Sequence, residues 1–287
     1  MTGPIPNPQS LIADTARLAG NGLVSAILAP ACAVCEAVLD EPLSGCVCRI
    51  CWTAIRPITP PVCDTCGHPL ARPFQSPVPG PLPLDGRQSL TPNPQSLCAL
   101  CGRHRSTVTR ARAVGEYDGA LRDIIHALKY CGRRSLARPL AVLMRARGAE
   151  LLAEADCVVP VPLHWRREYS RGFNQARELC RYLGLPVVEA LIRTRHTRAQ
   201  VELAADRRRP NVAAAFRLRR GLLSRPRISE MKILLIDDVS TTGATLESCA
   251  EVLMTAGASE VHALTVARVI TRDSRQSQDL VPNRATS

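Results

Sequence analysis

A mainly parallel α/β sheet flanked by helices, preceded by a small cysteine-rich metal-binding region, is the fold class that the sequence predicts. Three observations predict it. Eight of the 13 cysteines fall into four C-x-x-C pairs, all before Gly102. From Ala111 onward, short apolar runs alternate with helical stretches, the texture of strands covered on both faces. One of these runs, Ile233 to Ile236, delivers two adjacent acids and then a loop of small and hydroxylated residues. Ligands in open α/β sheets bind just beyond such strand ends.

The 287 residues suggest about two domains. Hydrophobic residues at 46% and charged residues at 22% exclude disorder throughout, and an aromatic content of 3% leaves Leu, Val, Ile and Ala to fill the core. No run approaches the roughly 18 apolar residues of a membrane span. Met1 to Ser10 lacks the positive charge and apolar stretch of a secretory signal, so a cytoplasmic location and no membrane insertion are expected. Lys and Arg number 37 against 25 acids, a net charge of +12, and Lys129 and Lys232 are the only lysines. Either a GC-rich genome biases codons toward Arg, or planar guanidinium groups bind phosphates. Position has to decide.

In chain order, residues 1–28 form an N-terminal segment. Its first ten residues are rich in Pro and Asn, and the apolar spacing from Leu11 to Leu28 predicts a short docking helix, weakened by Gly20 and Gly22. Residues 29–107 carry Cys32/Cys35, Cys48/Cys51, Cys63/Cys66 and Cys98/Cys101. In a reducing cytosol such pairs are seldom disulfides. A two-residue gap turns both sulfurs of a knuckle toward one ion, so two knuckles supply a tetrahedron of thiolates, and two structural Zn2+ sites are the natural count. Adjacent pairing gives one site from Cys32, Cys35, Cys48 and Cys51 and another from Cys63, Cys66, Cys98 and Cys101; interleaved pairing stays open. A redox dithiol or an iron–sulfur cluster fits four pairs in one loop-rich segment less well. Cys46, Cys131, Cys157, Cys180 and Cys249 are read as small buried hydrophobes.

A Pro-rich insert, residues 69–97, is expected to be an extended loop. It repeats the PNPQSL of Pro6 to Leu11 at Pro92 to Leu97, too short a match to imply an architectural repeat. Residues 108–270 form the α/β region. Strands are predicted at Ala113 to Tyr117, Cys157 to Val161, Ile233 to Ile236 and Val261 to Val266. Helices are predicted at Ala120 to Tyr130, Leu136 to Glu154, Asn174 to Leu183 and Thr245 to Ala256. Residues 271–287 read as a polar, disordered tail.

The segment Lys232 to Thr245, KILLIDDVSTTGAT, carries the chemistry. A loop of Thr, Gly and Ala lets a ligand approach the backbone closely, and the helix it opens adds positive partial charge, making a phosphate cradle. Asp237 and Asp238 accept hydrogen bonds from a vicinal diol. A phosphate held near a diol describes a ribose 5-phosphate. A Walker B element is disfavoured because no G-x-x-x-x-G-K-[ST] occurs, and a phosphoacceptor pair would end an early strand rather than a late one. Arg166, Arg167 and Arg171 follow the strand Cys157 to Val161, where a pyrophosphate would sit. The arginine-rich stretch Arg193 to Asn211 reads as a mobile flap. Lys129 either reaches a phosphate or caps its helix. His126 and His164 are available for proton transfer, but non-catalytic roles fit them better.

Ile233 to Thr245 resembles the phosphoribosyl pyrophosphate signature of type I phosphoribosyltransferases: an apolar strand, two acids, then T-x-G-x-T. Val159 to Gln175, VPVPLHWRREYSRGFNQ, resembles the V-P-V-P and R-G-F-N-Q of the ComF competence-protein branch, and Gln200, Leu203, Arg208, Asn211, Ala215 and Phe216 resemble its spacing. The cysteine pairs are similar to its double zinc ribbon, and the likeness runs from about Leu28 to Val269. The resemblance implies a type I phosphoribosyltransferase-like sheet behind a small zinc-ribbon domain. It also implies that Asp237 and Asp238 hold the ribose hydroxyls, that Val239, Ser240, Thr241, Thr242, Gly243, Ala244 and Thr245 line the 5-phosphate site, and that Gln200, Arg208 and Asn211 belong to the flap. Mg2+ would accompany phosphoribosyl pyrophosphate. Single-stranded DNA is a second partner class, although three Phe and two Trp leave little for base stacking, and the ribbons offer a surface to a protein partner. Two departures stand out: Glu36 replaces a glycine that often follows the first cysteine pair, and the Pro-rich insert stretches the second ribbon and puts its closure in question.

Overall fold

The computed structural model describes residues 17–24, 27–70, 97–194, 215–219 and 228–270. The expectations for the first ten residues, for most of the Pro-rich insert and for the C-terminal tail fall outside these ranges. Residues 17–24 are helical, inside the stretch that predicts a helix. This helix docks through polar atoms rather than its apolar side chains. Asn21 Oδ1 accepts from the Leu43 N–H at 3.0 Å and Arg17 donates to Ser44 Oγ at 3.0 Å, while Leu18 and Leu23 are 68% and 62% exposed.

Helices α1 (Arg49–Thr53) and α2 (Ala99–Arg103) each begin at the second knuckle of a cysteine cluster. The α/β region follows as β1 (Ala111–Glu116), α3 (Gly119–Tyr130), α4 (Ala137–Arg147), α5 (Ala149–Glu154), β2 (Cys157–Pro160), α6 (Trp165–Arg171), α7 (Gln175–Cys180), β3 (Leu191–Arg193), β4 (Phe216–Leu218), β5 (Lys232–Ser240), α8 (Ala244–Thr255) and β6 (Glu260–Arg268). Four strands form one parallel sheet in the order β1-β6-β5-β2, and β3 and β4 make a separate antiparallel pair. Among the described residues no helix is long and apolar enough to cross a membrane.

Both faces of the sheet are covered, which is why its central strands read as continuous apolar runs rather than alternating ones. On β5, Leu234 and Ile236 pack with α3, α4 and α7, whereas Ile233 and Leu235 pack with α8 and the β3–β4 pair. All four are fully buried, and each such side chain contributes roughly 1.5–3 kcal/mol of transfer free energy. In α3, Leu121, Ile124, Ile125 and Leu128 line the buried face at helical spacing.

Four sequence expectations need correction. The helix expected over Leu136 to Glu154 breaks at Gly148, where an added Cβ would lie 2.5 Å from Leu264 of β6. The loop expected after β2 contains α6, a helix whose short, arginine-rich sequence hides its period. The signature strand runs on through both acids to Ser240, because pairing with β6 continues to Arg268. Finally, Cys131 is exposed and Cys46 only half-buried, while Cys157, Cys180 and Cys249 are buried as expected.

Candidate functional site

The alternation of β5 sends its adjacent acids to different neighbours. Asp238, 8% exposed, pairs with Lys129 of α3, Nζ to Oδ1 at 2.9 Å. Burial works against the Lys129 ammonium, but the charge and hydrogen bond of Asp238, with Asp237 beyond, outweigh it and hold its pKa above the ordinary lysine value. Lys129 thus orients one of the two acids. Asp237 is pushed up to about 7 by burial and by the charge of Asp238, against the opposing pull of the Asp238 N–H, Lys129 and Arg193. That N–H donates to Asp237 Oδ1 at 2.8 Å. Carboxyls shifted in this way by burial and a charged neighbour are concentrated at functional sites.

Immediately after Ser240 the chain turns. Gly243, at φ 79° and ψ −3°, stands at the N-cap of α8 in the left-handed region, a conformation that strains a side chain. Thr242 Oγ1 receives the Ala244 N–H at 3.5 Å. Val239 packs into the core beneath the acids. Thr241 to Thr245 therefore wrap the start of a 12-residue helix whose first N–H groups favour an anion.

The R-G-F-N-Q motif positions the loop beyond β2. Asn174 Oδ1 accepts from the N–H groups of Ala176 and Arg177 at 2.9 and 3.4 Å, capping α7, while its Nδ2 donates to the Val161 carbonyl at 3.0 Å. Phe173 is buried under the Arg134 guanidinium, 4.5 Å from the ring centre. Arg171 spans Gln175 Oε1 at 3.2 Å and the Tyr130 hydroxyl at 3.0 Å. Arg166 lies over Trp165 at 5.2 Å. Arg167 faces Arg193, whose guanidinium is pushed below its ordinary value by burial first and by Arg167 second. His164 caps α6, its Nδ1 accepting the Arg166 N–H at 3.3 Å, and His126 is exposed, 4.6 Å from the Tyr130 ring.

Arg193 is not a flap residue. It belongs to β3, stacks 5.3 Å over Phe216 of β4 and lies within electrostatic reach of Asp237. The apolar run Ala190 to Ile192 just before it is the signal that sequence reading passed over. The other flap candidates, Gln200, Arg208 and Asn211, lie outside the described residues, between β3 and β4.

The cysteines form two clusters by adjacent pairing, Cys32, Cys35, Cys48, Cys51 and Cys63, Cys66, Cys98, Cys101, with the sulfurs of each within 4.8 Å of one another. Sulfur pairs at 3.9, 3.7 and 3.6 Å match the separation of about 3.8 Å across a tetrahedron with Zn–S bonds of about 2.3 Å. The second cluster closes despite the insert. Burial raises the Cys32 pKa, yet the N–H groups of Cys35, Cys48 and Val34 outweigh it and bring it down to about 6, favouring the thiolate that binds Zn2+. Sequence reasoning missed Arg268, which ends β6, is 7% exposed and donates to the Cys66 carbonyl at 3.0 Å. This guanidinium ties the second ribbon to the strand ends.

Comparison with known proteins finds a double zinc ribbon domain over residues 23–80 and a phosphoribosyl transferase domain over residues 169–282. The chain is 30% identical to DNA utilization protein YhgH of Salmonella typhimurium, over 78% of this chain and 91% of that one. It is 31% identical to competence protein F of Haemophilus influenzae, over 60% and 78%. Among solved structures it aligns with orotate phosphoribosyltransferase from Aeropyrum pernix at a TM-score of 0.31 and 19% identity, covering 51% of this chain and 64% of that one, less than two thirds of its length.

Proposed function

This chain belongs to the ComF family, and from that premise we propose that it binds phosphoribosyl pyrophosphate with Mg2+ at the ends of β2 and β5, and transfers or senses the phosphoribosyl group. One observation carries the reading: the Asp237–Asp238 pair stands directly before a left-handed Gly243 that opens α8. The acids take the ribose hydroxyls, and the N–H groups and hydroxyls of Thr241 to Thr245 take the 5-phosphate. Arg167, Arg171 and Arg193 face the diphosphate, and Arg166 lies at the rim. Displacement of a diphosphate from the anomeric carbon passes through an oxocarbenium-like state, which nearby carboxylates stabilise while guanidinium groups hold the departing charge. Mg2+ held with the diphosphate beside Arg167, Arg171 and Arg193 would supply further neutralisation of the leaving charge.

Calorimetry with phosphoribosyl pyrophosphate and Mg2+ tests this reading. Wild type should bind and the Asp237→Asn/Asp238→Asn double variant should lose at least about tenfold in affinity, about 1.4 kcal/mol. Since burial and the Asp238 charge push Asp237 up to about 7, ligands that need its carboxylate must largely displace a proton at pH 6 but little at pH 8. Affinity should therefore rise across that interval in wild type and stay flat in Asp237→Asn. A folded, zinc-loaded protein that does not bind overturns the reading.

A second reading, single-stranded DNA handling, draws on the names of the relatives and on one surface. Tyr130, Trp165 and Tyr169 are 61%, 64% and 88% exposed, with the Arg171 guanidinium 4.8 Å over the Tyr130 ring and Arg166 over Trp165. Aromatic platforms among cations suit single strands, so the low aromatic count is offset by where these rings stand. Trp165→Ala/Tyr169→Ala should weaken binding of a fluorescent oligonucleotide about tenfold or more, with a steep dependence on salt. Equal binding by both proteins would exclude this surface. A cytoplasmic location, and a protein partner on the first ribbon, where Val38, Leu43 and Ile50 are exposed, are part of the same reading.

A further inference from the structure

The β3–β4 pair brings Arg193 within electrostatic reach of Asp237, yet it is not part of the four-stranded sheet. Something other than the main ladder has to place it. Its buried Leu191, Ala215 and Phe216 share an apolar cluster with Leu246, Cys249 and Leu253 of α8, but apolar burial is non-directional and does not fix where along the helix the pair sits. A backbone bridge from His164 to Arg193 ties it to the loop beyond β2. Side-chain contacts with a defined direction gather on Glu189, two residues before β3. Its two carboxylate oxygens stand 2.7 Å from Nε and Nη2 of Arg177 on α7, the fork of a bidentate pair. Its Oε2 also meets Arg219 Nη2, just past β4, at 3.3 Å, and Arg177 Nη1 reaches on to Glu168 of α6 at 3.8 Å. One carboxylate therefore joins α7 to the strand pair. The Arg219 N–H donates to the Ala190 carbonyl at 2.7 Å and the Thr194 N–H to the Ala215 carbonyl at 2.8 Å, so β3 and β4 are bonded at both ends and a shift at Glu189 is carried to Arg193.

We propose that Glu189 is a positioning residue for the phosphoribosyl site, pinning the β3–β4 pair to α7 and so setting Arg193 against Asp237 and the diphosphate. The proposal rests on the reading of the loop after β5 as a phosphoribosyl site, and Glu189 acts in it only through Arg193. A lone ion pair at this half-buried depth contributes little. A shared one differs, because without the carboxylate the Arg177 and Arg219 guanidinium groups are left as like charges facing one another across the gap between α7 and β4. Their repulsion drives the strand pair off its place, and Arg193 moves with it.

The test is calorimetry of the zinc-loaded full chain with phosphoribosyl pyrophosphate and Mg2+ across the pH range 6 to 8, with thermal melting to show that each variant is folded. Glu189→Gln keeps the size and removes the charge, and should weaken binding about fivefold or more. The pH profile separates positioning from a loss of packing. Asp237 is faced by Asp238, Lys129 and Arg193, with the buried Cys249 thiol within reach, and Arg193 opposes the rise that burial imposes on it. Drawing Arg193 away lets the Asp237 value climb, so the gain in affinity with pH should move to higher pH in Glu189→Gln. Glu189→Asp, which keeps the charge and shortens the reach, should show the same displacement at smaller amplitude, and carries the test if the Gln variant does not fold. Glu189→Gln/Arg219→Gln removes the repulsion and should bind more tightly than Glu189→Gln alone. Arg181→Gln, which breaks the Arg181–Glu178 pair at 3.1 Å without touching the strand pair's ion pairs, should stay within about twofold of wild type. Wild-type affinity in Glu189→Gln, or a weakened affinity with an unmoved pH profile, overturns the positioning role and leaves the phosphoribosyl reading standing. Failure of the wild type to bind overturns that reading and the role of Glu189 with it.

Discussion

The two zinc ribbons follow one plan and are used differently. In the first, the Cys32 N–H donates to the Ala37 carbonyl at 2.7 Å and the Glu36 N–H to the Cys32 carbonyl at 3.0 Å; in the second, Cys63 to His68 and Gly67 to Cys63 repeat both bonds at 2.8 Å. Each second knuckle is an extended cysteine, Cys48 or Cys98, that opens a five-residue helix. Glu36 and Gly67 occupy equivalent positions, at φ 60° and 69°. Their surroundings differ. A Cβ on Gly67 would stand 2.5 Å from the Ala111 carbonyl oxygen of β1, whereas Glu36 is exposed. The first ribbon packs its Cys32, Leu39, Val47 and Cys51 into the core under α3. The second meets the α/β region largely through hydrogen bonds: Ala111 N–H to the Thr65 carbonyl, Arg112 to the Asp64 carbonyl and Arg268 to the Cys66 carbonyl. The first attachment is hydrophobic, whereas the second is polar and lies beside the loop that follows β5.

The largest effect that can break this comparison comes from the zinc ligands. Cys98→Ser and Cys48→Ser should each halve the zinc content, since structural zinc sites contribute about 10–16 kcal/mol to folding of their own region. Only Cys98→Ser should also weaken phosphoribosyl pyrophosphate by about tenfold or more, with Cys48→Ser staying within about threefold. Equal losses of ligand affinity, read by calorimetry, would end the distinction between the ribbons. A smaller effect sharpens it. Gly67→Ala adds both a strained backbone and a clash with β1, and chemical denaturation should show a loss of roughly 2–4 kcal/mol. The smallest effect has the opposite sign. Glu36→Gly relieves an exposed non-glycine residue in the left-handed region, and should raise stability by up to about 1 kcal/mol, visible as a small upward shift in the melting temperature.

Much of the fold was legible because its signals are local. Val261 to Val266 and Cys157 to Val161 are apolar runs of strand length, and both fall on strands of the sheet. The zinc clusters were legible from spacing alone, but their pairing was not, since either arrangement satisfies a C-x-x-C knuckle. The double ribbon was legible from the cysteine pairs, but the matching backbone of its two copies was not, because that equivalence lies in hydrogen bonds and in a shared left-handed turn at Glu36 and Gly67. In the site, the acids and the loop could be named from Ile233 to Thr245. Lys129 could be named but not placed, and Arg268 could not be named, because both depend on contacts between segments far apart in the chain.

By itself, the sequence determined the parallel α/β class, the eight zinc ligands and the acid-loop signature, all properties of short segments whose periodicity, spacing or turn chemistry is complete within some fifteen residues. Only the tertiary structure decided which cysteine pairs share an ion, that Asp238 is held by Lys129 while Asp237 faces Arg193, and that the second ribbon closes over the end of β6. Those outcomes depend on how α3, the β3–β4 pair and the ribbons pack around the strand ends. Packing is a sum over long-range contacts that no local stretch of residues contains.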